Sequence, residues 1–256
     1  MTGRRHNILL LTATIIPPRN VPGLVLTDPL RRLREYDQAL RFYLHHLGRC
    51  ADAIVFAENS GADLSPLRAT ARAFGASERV EFLSVQGLDY APELGKGFGE
   101  FKLLDHVMSS SLACLSSTTS VIWKITGRYR VRNISRFIAH SPRSFSVYLD
   151  MRQWRGPWVD LRLMAWTVAG YARYLRRVYL RLAERGSNGR VLHPEQRMWE
   201  VVHAWPPGRD VVTRFVMEPF VDGARGSDGR NWTRGKGIVM YWARSIGRVL
   251  VPTLAI

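Results

Sequence analysis

Residues 7–16 (NILLLTATII) form a continuous apolar, β-branched run that ends in Pro17 and Pro18. That is the pattern of a central strand buried on both faces of a sheet. Further strands are expected at 53–57 (AIVFA), 80–85 (VEFLSV) and 121–125 (VIWKI). Between them, Asp28-Pro29 marks a helix start, and Leu33, Tyr36, Leu40, Tyr43, Leu44 and Leu47 repeat at helical spacing. Arg31, Arg32, Arg34 and Arg41 take the positions between and read mostly as a solvated face. A second helix is expected at 65–74. Strands alternating with helices imply parallel pairing and right-handed crossovers, hence an α/β layer fold.

Positive charge gathers just beyond the strand at 121–125, where Gly127 is flanked by Lys124, Arg128, Arg130 and Arg132. In open α/β sheets ligands bind at the carboxyl ends of the strands, so an anion suits this edge; a solvated basic turn is the plainer alternative. The chain of 256 residues carries 37 Lys and Arg against 21 acidic residues, a formal net charge of +16, which favours nucleotide phosphates, polyanions or an anionic membrane face. Its two cysteines, Cys50 and Cys114, fit neither a zinc nor a redox spacing, and a reduced cytoplasmic setting is expected. The N-terminal apolar run lacks a small-residue cleavage site and reads as the first strand rather than a signal peptide. No run reaches the length of a membrane-spanning helix.

Thr12 and Thr14 lie near the end of the first strand, where hydroxyls meet a ligand or are ordinary strand threonines. Glu58 ends the second, followed by Asn59-Ser60-Gly61-Ala62-Asp63; this is a base- or ribose-binding edge, or a turn with Asp63 capping the next helix. Residues 95–102 (GKGFGEFK) precede a helix at 103–108, and glycines there free backbone N–H groups for phosphate, with Lys96 adding a cation. The loop is neither a Walker A loop nor a dinucleotide fingerprint. Further on, a strand at 144–149 leads to Asp150-Met151-Arg152, a long helix is expected at 160–182, and Glu195 opens a helix continuing over 197–204. Residues 186–189 read as a linker. The glycine-rich tail closes in an apolar stretch at 237–256, interrupted by Arg244 and Arg248, that is either a packed helix or an interfacial one.

The succession of these features resembles the GT-A glycosyltransferases, nearest to the bacterial and viral enzymes that build surface polysaccharides. The resemblance runs over about residues 7–204. It implies a single GT-A-like (Rossmann-like) domain at 1–212, a mostly parallel sheet flanked by helices, and a loop-rich C-terminal extension at 213–256. It implies transfer of a sugar from a nucleoside diphosphate donor to a glycan or lipid-linked acceptor, with inversion. Thr12, Glu58, Lys96, Lys124 and Arg128 would bind the donor, and Glu195 would be the base with Asp150 in reserve. The family's Asp-x-Asp metal site is replaced by Thr126-Gly127-Arg128-Tyr129, so no metal ligands and no cofactor are expected, with cations standing in for a divalent ion; were a metal used, Asp150 would be the reserve ligand. Trp154, Trp158, Trp199 and Tyr129 are candidates to stack on acceptor sugars.

Two other classes are compatible with the charge. One is a nucleic-acid-binding module, against which the basic residues are dispersed and no recognition motif is present. The other is a scaffold resting on anionic lipid at the inner membrane face.

Overall fold

The structure, a computed structural model, describes residues 5–18, 24–153, 156–184, 192–206, 208, 210–223 and 235–251. In chain order these form β1 (His6–Ala13), α1 (Pro29–Leu44), β2 (Ala53–Glu58), α2 (Ser65–Ala73), β3 (Val80–Ser84), α3 (Gly95–Ser110), α4 (Leu112–Leu115) and β4 (Ser120–Thr126). There follow β5 (Arg130–Val131), α5 (Ile134–Ala139), β6 (Val147–Tyr148), β7 (Met151–Arg152), β8 (Trp158–Val159), β9 (Leu163–Thr167) and α6 (Val168–Gly170). The last elements are α7 (Pro194–His203), β10 (Val211–Val212), β11 (Val221–Asp222) and α8 (Lys236–Leu250).

Seven strands make one sheet in the order β10-β6-β9-β4-β1-β2-β3. β4, β1, β2 and β3 are parallel to one another, and β9 runs antiparallel between β4 and β6. Alternation along β1 sends Leu9 and Leu11 to one face, with Tyr36, Leu40 and Tyr43 of α1, Leu67 of α2 and Phe137 of α5. Ile8 and Leu10 go to the other, with Phe101, Leu104 and Val107 of α3 and Met198 and Val201 of α7. A central strand covered on both faces is what the run at 7–16 requires.

The path of the chain positions the site. It leaves β1 for β2 and β3 on one side, then returns through α3 to β4 on the other side of β1. Strand order thus reverses between β1 and β4, and a crevice opens at their carboxyl ends.

Three expectations are corrected. Residues 160–182 are not one helix, because β9 occupies 163–167. A strand apolar on both faces satisfies a helical pattern equally well. Residues 95–102 are helical, since α3 begins at Gly95. Arg32 is no solvated arginine: it is buried and donates to the carbonyls of Thr14 (2.6 Å) and Leu26 (3.0 Å). The tail is anchored in turn: Phe215 packs in the core and α8 spans fifteen residues. The expected linker at 186–189 and Trp154 lie outside the described residues.

Candidate active site

A cleft of about 310 Å³ opens at the β1/β4 crevice, within the size range of small-molecule sites. One wall carries Thr14, Arg32, Tyr36 and Asn59, the strand ends give Thr12 and Thr126, and Arg128 and Tyr129 follow β4. The opposite wall carries Lys96 and Glu100 of α3, Asp160 and Arg162 ahead of β9, and Glu195 in the first turn of α7.

Of the residues singled out in the sequence, Thr12, Lys96, Arg128 and Glu195 line this cleft together, with Trp158 and Tyr129. Thr12 donates to Glu100 Oε1 at 2.6 Å. Arg128 is buried and gives Nη1 to Glu35 Oε2 at 2.8 Å. Burial opposes its charge, but Tyr36, Tyr129 and Glu35 outweigh burial and raise its pKa, so the guanidinium stays protonated. Lys96 is exposed at the rim, and neither its ammonium nor the Glu195 carboxylate makes a direct hydrogen bond or salt bridge among the described residues.

Lys124, Glu58 and Asp150 do not line the cleft. The Lys124 side chain has no exposed surface; its Nζ lies 2.7 Å from Glu100 Oε1 and also reaches Thr126 Oγ1 and the Leu161 carbonyl. It is a buried counter-charge behind Glu100, because position 124 points into the α3 layer with Ile122. Glu58 is fully buried, accepting from the backbone N–H of Ile15 (2.8 Å), Ser60 (2.9 Å) and Ala62 (3.1 Å) and from the Ser60 hydroxyl. It shapes the loops after β1 and β2, and so sets Asn59, which accepts from Thr14 Oγ1 at 2.6 Å on the cleft wall. Asp63 holds Ser65 N at 2.8 Å, the helix-start alternative. Asp150 is buried between Arg152 Nε (2.7 Å), Arg248 Nη2 (2.5 Å) and Phe215 N (3.0 Å).

The glycines of α3 also play a different part from the one expected. Glu184 already occupies the helix start, accepting from Lys96 N at 3.0 Å and Gly97 N at 3.5 Å, which leaves less room for a phosphate there. Burial pushes the Glu184 carboxyl up despite Lys96 and these N–H groups. A Cβ on Gly97 would lie 2.2 Å from Pro194 Cβ, and one on Gly99 would lie 1.8 Å from the Tyr90 hydroxyl. The glycines let α7 and the Tyr90 loop approach α3, and Pro194 places Glu195 beside the cleft. Trp199 stacks on His203 at 4.6 Å, outside the cleft lining.

Sequence reasoning missed Glu100 and the Asp160–Arg162 pair. Asp160 is buried and accepts from Arg162 Nε (2.8 Å) and Arg152 Nη2 (2.9 Å). Burial would raise its pKa, but Arg162 and Arg152 overcome burial and hold it well below the usual carboxylate range. Asp-x-Arg at 160–162 was a usable signal, concealed by the helical reading.

No protein-family model matches the sequence, and no curated protein matches it. The glycosyltransferase GlyE of Streptococcus pneumoniae superposes with a TM-score of 0.50 at 7% identity, over 82% of this chain and 45% of that one. The fold is GT-A-like. This chain spans less than half of GlyE. A putative nucleotide-diphospho-sugar transferase from Desulfovibrio desulfuricans gives 0.45 at 12% identity, over 83% of this chain and 80% of that one. A 4-diphosphocytidyl-2C-methyl-D-erythritol synthase gives 0.45 at 10% identity, over 94% and 99%. At these identities the likeness is one of fold.

Proposed function

We propose that the chain is a glycosyltransferase that binds a nucleoside diphosphate sugar in the β1/β4 cleft and passes the sugar to a hydroxyl of a glycan or lipid-linked acceptor, with inversion. The observation that carries this reading is the placement of Glu195, a carboxylate without a direct partner among the described residues, in the same cleft as Arg128 and Lys96. An acceptor hydroxyl must lose its proton as the nucleoside diphosphate leaves, and a carboxylate in reach serves as the base. In nucleotidyl transfer to a phosphate the nucleophile arrives already ionised, and a free carboxylate would only repel it. The base role therefore favours sugar transfer.

The nucleoside is assigned to the wall of Thr14, Arg32, Tyr36 and Asn59, and the diphosphate to Arg128, Lys96 and Arg162. Lys124 is dropped as a phosphate ligand, because it lies beneath Glu100 and outside the cleft lining, whereas Arg128 and Arg162 line the cleft although Glu35 and Asp160 pair with them. Asp150 is dropped as a reserve base for the corresponding reason. The cleft's carboxylates do not fit a divalent ion either. Glu100 is held by Lys124 and Thr12 and Asp160 by two guanidiniums, and Glu195 alone is too few ligands. Cationic side chains then balance the leaving diphosphate.

The test is release of nucleoside diphosphate from a panel of nucleotide sugars, with glycan or water as acceptor. Glu195→Gln is expected to lower turnover about 10²–10⁴-fold while nucleoside diphosphate binding persists. Turnover near that of the native chain would remove Glu195 from the role.

A further inference from the structure

α8 sits on the protein the opposite way round from an ordinary surface helix. Its arginines face inwards: Arg248 is buried, giving Nη2 to Asp150 at 2.5 Å and Nε to Glu218 at 3.0 Å, and Arg244 lies 3.7 Å from Glu218 and over the Trp158 ring. Its apolar residues face outwards. Val239, Trp242, Ile246, Val249 and Leu250 are 55–79% exposed. At about 100° per residue these five fall within about 100° of arc, and Arg244 and Arg248 fall on the far side. An outward apolar stripe is not needed to hold the helix down, because the ion pairs do that, and contiguous exposed apolar surface marks an interaction site.

We propose that this face of α8 docks the protein on an anionic lipid surface. Charge chooses the occupant. The chain carries +16, which disfavours a second copy of itself and favours a negative surface. No acidic residue occurs from 229 to the C-terminus, whereas Arg230, Arg234 and Lys236 precede or open the helix in the sequence. Arg214, half-buried, reaches the Val251 carbonyl at the far end of α8. Trp242 on this stripe is the side chain suited to a headgroup boundary. Among the described residues no helix is long and apolar enough to cross a membrane, so the contact is one of lying on the surface. The inference does not depend on the sugar-transfer reading, although a lipid-linked acceptor would be presented at such a surface.

The test is co-sedimentation of the full chain with vesicles of equal parts phosphatidylglycerol and phosphatidylcholine, against pure phosphatidylcholine. Trp242→Ser/Val249→Ser keeps the charge and changes only exposed positions. The native chain is expected to partition onto the anionic vesicles, and the double variant at least tenfold less, the loss of two large apolar contacts. Its melting temperature and nucleoside diphosphate binding should be unchanged. Failure of the native chain to bind anionic vesicles would overturn the proposal, as would equal binding by the variant. A native dimer that the variant returns to monomer, with no change on vesicles, would show a second copy to be the occupant instead.

Discussion

Replacing Glu100 with Leu strips a fully buried ammonium of its carboxylate. Lys124 has no exposed side-chain surface and Glu100 Oε1 stands 2.7 Å from its Nζ. Breaking a buried pair by removing one partner costs about 3–5 kcal/mol, because the remaining charge is left in a poorly polarisable interior. Two observations place this pair at the low end of that range, about 3 kcal/mol. The Glu100 side chain is 23% exposed, and Thr126 Oγ1 and the Leu161 carbonyl still bond the ammonium. In a chain of 256 residues each kcal/mol moves the melting temperature by about 2–4 °C, so Glu100→Leu should lower it by roughly 6–12 °C. Adding Lys124→Met removes the orphaned charge and should restore most of the loss. Urea and thermal denaturation of the four proteins completes the double-mutant cycle. A cost under about 1 kcal/mol for Glu100→Leu, or a double variant no more stable than the single, would refute the buried-pair reasoning. The double variant, which leaves no unpaired carboxylate in the cleft, should hold nucleoside diphosphate affinity within about threefold, as suits a lysine beneath the cleft floor.

Gly97→Ala drives a Cβ against Pro194 and should cost about 1–3 kcal/mol in denaturation, with turnover reduced as well because Pro194 sets Glu195; unchanged stability would contradict the close α3–α7 approach. Asp160 has a folded pKa below its ordinary value, so its contribution is present above about pH 4 and is lost as pH falls through the lower folded value. Asp160→Asn should therefore lower stability at neutral pH and flatten the acid limb in denaturation at a series of pH values. An unaltered limb would count against the Arg152–Asp160–Arg162 cluster.

The parallel layers were legible in the sequence because buried strands such as 7–16 leave little freedom in how they are covered, and the reversal between β1 and β4 fixes where a ligand sits. The cleft's place at the carboxyl ends of the strands, with Thr12 and Arg128 beside it, was legible for that reason, whereas Lys96 was reached through a loop reading and Glu195 through the resemblance. Which charges face the cleft was not. Lys124 and Arg128 look alike as sequence, yet one lies within β4 beneath Glu100 and the other follows the strand. The partner that neutralises Lys124 is 24 residues earlier on another element, and no local pattern reports it. The glycines at 95–99 matched a phosphate loop because close helix packing and anion binding both demand a missing side chain, and only the positions of Pro194, Tyr90 and Glu184 separate the two. Helical and two-faced strand patterns coincide over 163–167, which concealed β9.

The central claim is that the protein's own cations hold a nucleoside diphosphate at the β1/β4 crevice. Isothermal titration with uridine, guanosine, cytidine, adenosine and thymidine diphosphates, in the presence of EDTA, tests it most directly. At least one of them is expected to bind without added metal, and Arg128→Gln to weaken that binding about tenfold or more, measured well below the variant's melting temperature because the buried pair with Glu35 is lost as well. Binding that requires Mn²⁺, or that Arg128→Gln leaves untouched, would contradict it.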